Sequence, residues 1–115
     1  MSEKSFKTVT QDLSKGLAQF RAQVPEVQAA FSALHKASMQ DGALDAKTKE
    51  LIALAIGVAA RCDGCIGFHT QALIKLGATK AELTEMLGVA VMMGGGPSLM
   101  YAGETMRAFE EFGGQ

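Results

Sequence analysis

Excess charge of either sign is missing from this 115-residue chain: 11 Lys and Arg are matched by 12 Asp and Glu, a net charge of -1. Such a balance leaves no basic footprint for a phosphate backbone and argues against nucleic acid as a partner. A long apolar run is missing as well. The most apolar stretch, Leu51 to Ala60, is about ten residues, where a membrane span needs roughly 20. No apolar segment follows the polar start Met1-Ser2-Glu3-Lys4. No secretory signal peptide is therefore expected, and the protein is read as cytoplasmic, with no membrane partner. Strand-like alternation, internal repeats and low-complexity linkers are absent too, which leaves helix as the expected element throughout. Cysteine is scarce, at two. In a reducing compartment a lone Cys-x-x-Cys is not expected to be a structural staple and points to catalysis or metal binding.

What is present is 48% apolar and 20% charged, with seven Met, the profile of an ordinary soluble globular protein. The length suits one domain, residues 1–115, with a real core. So high an apolar share in so short a chain implies that part of the apolar surface is hidden in a homo-oligomer interface.

The periodicity predicts an all-α fold of about six helices. Phe6, Val9, Leu13, Leu17 and Phe20 recur at three and four, which makes Phe6 to Gln23 an amphipathic helix. Pro25 suits the first position of a second helix running to about Met39, with Val27, Ala30, Phe31 and Leu34 as its buried stripe. Asp45 is a good N-cap for a third helix, which turns apolar on all sides from Leu51 to Ala60 and is expected to be buried all round. Arg61 suits the end of that helix. Asp63-Gly64 reads as the break, and a fourth helix runs from Gly64 or Cys65 to Leu76. Thr79-Lys80-Ala81-Glu82 is a capping box for a fifth, whose core face is Leu83, Met86, Leu87 and Ala90. Gly94-Gly95-Gly96 stops it, and Pro97 starts a sixth with Leu99, Met100, Met106 and Phe109 as apolar positions. The glycine triplet follows a helix and lacks a Gly-Lys-Ser/Thr ending, so it is a connection and not a phosphate loop. The run Met86, Met92, Met93, Met100 reads as core.

The chemistry gathers in Arg61-Cys62-Asp63-Gly64-Cys65-Ile66-Gly67-Phe68-His69, which holds both cysteines and one of the two histidines. Cys62 falls at the C-terminal end of the third helix and Cys65 in the first turn of the fourth. A thiolate at a helix start is stabilised by unpaired N–H groups, and its pKa falls from about 8.5 toward neutral. This makes Cys65 the nucleophile and Cys62 the resolving partner. His69, one turn after Cys65, is placed to take the thiol proton. A thiolate so activated attacks a peroxide, becomes a sulfenic acid and condenses with its neighbour to a disulfide. Glu50 is the carboxylate on the same hairpin. It lies twelve residues before Cys62, about 18 Å of helix rise, and roughly half that from His69. Reaching His69 is expected to need a water bridge, a kink near Gly57 or a glutamate from another subunit. His35 reads as a surface or boundary residue. Other readings of the motif are a zinc site completed by His35 or Glu50, inert buried cysteines, or a non-enzymatic redox-sensing or metal-binding module.

Glu50, eleven residues, Cys62-x-x-Cys65, three residues and His69 together resemble the signature of the AhpD-like alkylhydroperoxidases of the carboxymuconolactone decarboxylase superfamily. Leu44-Asp45-Ala46-Lys47-Thr48-Lys49-Glu50 and Leu76-Gly77-Ala78-Thr79 fit as well, so the likeness spans roughly Leu44 to Tyr101. The resemblance implies an all-helical fold, trimers or hexamers, and no cofactor. It implies a peroxidatic Cys65, a resolving Cys62, and Glu50 with His69 as a proton relay to the thiols. It further implies a small-molecule hydroperoxide as substrate and a lipoylated or thioredoxin-like dithiol protein as reductant. One position departs: the well-known peroxidases carry a second histidine just before the peroxidatic cysteine, and here that residue is Gly64. The departure implies a shorter relay and slower turnover, or a substrate that is not a peroxide. Lactone decarboxylation or isomerisation by Glu50 and His69 is the rival enzymatic reading, against which the dithiol argues.

Overall fold

The computed structural model describes residues 4–115; the polar start at residues 1–3, on which the signal-peptide reading rests, lies outside them. The described residues form six helices and no strand: α1 (Phe6–Gln23), α2 (Pro25–Ser38), α3 (Ala46–Ala59), α4 (Asp63–Lys75), α5 (Lys80–Gly94) and α6 (Gly96–Glu111). None of them is long and apolar enough to cross a membrane.

Most helix starts follow from their caps. Asp45 accepts from the Thr48 N–H, and Thr79 and Glu82 close a reciprocal capping box. Pro25 and Pro97 stand in the first turns of α2 and α6. The start of α1 is tied to the far end of the chain. Glu111 accepts from the Phe6 N–H at 2.8 Å, the Lys7 N–H at 3.2 Å and the Ser5 hydroxyl at 2.5 Å. The Ser5 hydrogen bond, against a smaller opposing effect of burial, holds the Glu111 carboxyl below its ordinary pKa.

At the centre, α3 packs against α4, α5 and α6, and α4 also packs against α1 and α6. Leu54, Val58, Ile66, Leu73 and Leu83 are fully buried there, and Phe6 of α1 joins them. Two glycines let α1 lie on α4. A Cβ at Gly67 would meet Thr10 Cγ2 at 2.5 Å, and one at Gly64 would meet Leu13 Cδ1 at 2.5 Å. Thr10 has little freedom to yield, because its hydroxyl donates to the Phe6 and Lys7 carbonyls at 3.0 and 3.1 Å. Leu13 offers only the tip of a flexible side chain.

Several expected burial patterns are corrected. The backbone of α2 approaches α1 alone, and its stripe is left mostly exposed. Val27 is 54% exposed, and Phe31 and Leu34 are each 63% exposed. The radius of gyration, 14.5 Å, exceeds the roughly 13 Å typical of a compact chain this long, as a projecting helix requires. The far half of α1 (Leu13, Leu17, Phe20) is also exposed, as are Ile52 and Ile56 of α3, Met92 and Met93 of α5, and Leu99 and Met100 of α6. The methionine run is therefore mostly surface in the single chain, with only Met86 packed on the core. The fourth helix begins at Asp63, ahead of the expected start, and ends at Lys75 rather than Leu76.

Gly67→Ala is expected to destabilise the chain by about 1–3 kcal/mol through overpacking against the pinned Thr10. Gly16→Ala in α1, with nothing within 4 Å of the added carbon, is expected to stabilise by roughly 0.5–1 kcal/mol through helix propensity. Urea unfolding of the two variants beside wild type measures both; a Gly67→Ala protein as stable as wild type would contradict this account of how α1 docks.

Candidate active site

The dithiol turn is built by one strained residue. After α3 ends, Arg61 takes a φ of 58°, the one positive φ at a non-glycine among the described residues. The chain reverses there, and the Cys62 N–H still reaches back to the Gly57 carbonyl at 3.0 Å. Cys62 then becomes the N-cap of α4, with its Sγ accepting from the Cys65 N–H at 3.2 Å. This corrects the expected placement of Cys62 at the end of the third helix. Asp63 and Gly64 do not break a helix either; they form the first turn of α4. Both sulfurs consequently share the positive end of one helix, and helix polarity alone does not separate their roles.

Cys62 and Cys65 are joined as a disulfide, with Cα atoms 5.2 Å apart. Behind them α3 comes close: a Cβ at Gly57 would lie 2.9 Å from Cys65 Cβ. Only a glycine lets the two helices meet at this level.

Glu50 reaches His69 directly. Its Oε2 lies 2.5 Å from His69 Nδ1 within the same chain, with side-chain exposures of 8% and 23%. No bridging water, kink or second subunit is required for this contact. The reason is register. Glu50 stands nine residues before the end of α3 and His69 six residues after the start of α4. Across the antiparallel hairpin the offset is only about 5 Å, because each residue adds about 1.5 Å, and the two side chains span it. With Nδ1–H donating to the carboxylate, Nε2 of the neutral ring is left as an acceptor.

Two further groups stand nearby that sequence reasoning did not place there. His35 of α2 is exposed, as expected of a surface residue. Its ring is nevertheless stacked on that of His69, with centroids 6.5 Å apart and planes 24° apart. Lys4 pairs with Asp63 at 3.0 Å. These partners are 34 and 59 residues apart, and no local pattern in the chain announces either contact. Among the described residues no three His, Cys, Asp or Glu side chains gather as a metal ion would need.

The model of the carboxymuconolactone decarboxylase family matches residues 25–113. An uncharacterised protein of Cupriavidus necator is 43% identical over 86 residues, 75% of this chain and 76% of its own. A protein of the cox locus of Paracoccus denitrificans is 36% identical over 85 residues, 74% of this chain and 77% of its own. Among solved structures, a carboxymuconolactone decarboxylase family protein from Legionella pneumophila superposes with a TM-score of 0.91 at 60% identity, covering 93% of this chain and 96% of its own. A Thermotoga maritima family member, for which a part in antioxidative response has been suggested, superposes with a TM-score of 0.79 at 28% identity, covering 89% and 87%.

The Glu50 contact predicts a tautomer. Long-range proton–nitrogen NMR of the neutral ring is expected to show His69 protonated at Nδ1. In Glu50→Leu, which removes the acceptor, both tautomers are expected to appear. An unchanged tautomer in that variant would mean that Glu50 does not hold the ring.

Proposed function

This chain belongs to the carboxymuconolactone decarboxylase family, and from that premise we propose that it is a dithiol-dependent peroxidase or disulfide oxidoreductase of the AhpD-like type. The observation that carries the reading is the Glu50–His69 pair, set one turn beyond Cys65 at the head of α4. An imidazole held by a buried carboxylate, one helical turn after the second cysteine of a dithiol, is the set of groups that thiol activation needs.

Cys65 is the attacking thiol and Cys62 the resolver. Since both sulfurs share one helix end, the distinction rests on His69, which lies four residues after Cys65 on the same face, and on the likeness to the AhpD-like enzymes. In the reduced protein His69 takes the Cys65 proton, and Glu50 stabilises the resulting imidazolium. The thiolate attacks one oxygen of a hydroperoxide. The O–O bond breaks, the alkoxide leaves with the proton from His69, and Cys65 becomes a sulfenic acid. Cys62 sulfur then displaces hydroxide, which leaves as water with the Cys62 proton, and the disulfide closes. An external dithiol protein, lipoylated or thioredoxin-like, returns two electrons and two protons by thiol–disulfide exchange. The setting is cytoplasmic, where such reductants are found.

Leu13 bears on the missing second histidine. Its methyl group fills the place through which a side chain at position 64 would leave the helix. Glycine at 64 fits the docking of α1, and the relay runs through His69 without a second imidazole from that position.

The working form is a homo-oligomer, a trimer or hexamer. Its support is the apolar face that the single chain leaves open on α2, α3 and α5, including Phe31, Leu34, Ile56 and Met93.

Stopped-flow oxidation of the reduced protein by an organic hydroperoxide tests the chemistry. Cys65→Ser is expected to abolish the fast phase, while Cys62→Ser keeps it and stops at the sulfenic acid. Equal rates for Cys65→Ser and wild type would sink the assignment. Turnover of a small lactone that survives loss of both thiols would transfer the chemistry to Glu50 and His69 alone. Light scattering after gel filtration is expected to give a trimer or hexamer for wild type and smaller species for Phe31→Glu/Leu34→Glu; a monomeric wild type would contradict the assembly.

A further inference from the structure

Asp63 stands inside the dithiol, as the first residue of α4. Its carboxylate accepts from Lys4 Nζ at 3.0 Å. The same ammonium pairs with Glu104 of α6 at 3.1 Å and lies over the rings of Phe6 and Tyr101, 5.3 and 5.6 Å from their centroids. Arg107 steadies the arrangement from the other side, donating to Glu104 at 2.9 Å and to the Lys4 carbonyl at 3.0 Å. The peroxide chemistry derived above uses none of these groups.

An aspartate at this position acts on the thiols in two ways. It competes with them for the helix end that would stabilise a thiolate. Its own charge also disfavours a second negative charge beside it. Lys4 cancels that charge from outside the turn. The charged and titratable groups placed around the dithiol are Arg61 and Asp63 within the turn, Glu50 and His69 from α3 and α4, His35 from α2, and Lys4, Glu104 and Arg107 beside α6. Of these, Lys4 is the cation bonded to the carboxylate that separates the two cysteines.

We propose that Lys4 is a positioning residue for the redox turn: by pairing with Asp63 it neutralises the carboxylate between Cys62 and Cys65, and so makes the reduced dithiol more acidic and more reactive. Through Glu104 it also ties the head of α4 to α6. Burial pulls the Lys4 ammonium toward neutrality, but its bonds to Asp63 and Glu104 outweigh this and hold its pKa above the ordinary lysine value. Lys4 therefore carries its charge throughout the range in which the thiols titrate. The inference rests on the functional reading above only in requiring that the dithiol work as a thiolate.

The test uses the full-length reduced protein and no peroxide. Thiolate absorbance against pH gives the thiol pKa, and the rate of alkylation by iodoacetamide at neutral pH gives reactivity. Lys4→Met is expected to raise the lower thiol pKa by roughly half a unit and to slow alkylation about two- to threefold, the scale of a partly exposed ion pair. Lys4→Arg is expected to behave as wild type, and Lys4→Met/Asp63→Asn to recover wild-type values. The difference is expected to shrink near 1 M salt, where the screening length falls to about 3 Å. A Lys4→Met protein with unchanged thiol pKa and alkylation rate overturns the proposal, as does a deficit that Asp63→Asn fails to restore. Should Lys4→Met not fold, Asp63→Asn with Lys4 intact is expected to lower the thiol pKa, and an unchanged value is equally decisive against it. A protein inert to hydroperoxide that still shows the Lys4 effect would overturn the peroxidase reading and leave this one standing.

Discussion

Between α3 and α4 there is no room for a methyl group. The hydrogen of Gly57 faces Cys65, and a Cβ there would come within 2.9 Å of the cysteine's own. This close approach sets the spacing of the hairpin on which the site is built. Around it, the short connection through Arg61 fixes the register, and that register brings Glu50 within side-chain reach of His69. The dithiol, the imidazole and the carboxylate come from three separate turns of two helices. Their arrangement follows from one tight crossing and one left-handed residue.

The helices themselves were largely legible in the chain. The bounds of α1 and the starts of α2, α3 and α5 follow from apolar spacing, Pro25, Asp45 and the Thr79–Glu82 box. These are local signals, and local signals survive in a sequence. The site was legible in its members and not in its geometry. Cys62, Cys65, His69 and Glu50 are identifiable from spacing and resemblance, whereas the N-cap role of Cys62 depends on the backbone of Arg61, which no residue preference advertises. The direct reach of Glu50 depends on where the chain reverses, over residues 60–62, and helix rise alone does not reveal that point. His35 and Lys4 come from elements remote in sequence, and only tertiary packing brings them to the turn.

The apolar stripes show a different failure. Periodicity marks a face as destined for burial without saying by what. Phe6 and Leu54 are fully buried in their own chain, while Phe31, Leu34, Ile56 and Met93 stay mostly exposed. An exposed apolar face of this extent stays favourable in water only if something covers it. The same kind of pattern therefore yields core at some positions and open surface at others, even within α3, where Leu54 is buried and Ile56 exposed. The helix that leaves Phe31 and Leu34 open also carries His35 to its stack on His69, so the surroundings of the imidazole and the covering of α2 are not independent.

The shared helix end changes how the two sulfurs should be compared. Had Cys62 closed α3, a carbonyl-rich terminus would have opposed its thiolate, and Cys65 alone would have gained from α4. With Cys62 as the cap, its sulfur accepts the Cys65 N–H, and any stabilisation from the helix is common to the pair. What distinguishes the thiols must then come from their neighbours. Glu50 and His69 lie along the α3–α4 hairpin, one turn beyond Cys65. Lys4 and Glu104 approach from the outer side, through Asp63. One set is an imidazole held by a buried carboxylate, and the other is a cation bonded to the carboxylate between the two cysteines. The crossing at Gly57 and the Lys4–Asp63 pair thus bring two separate groups of charged side chains to a single helix end.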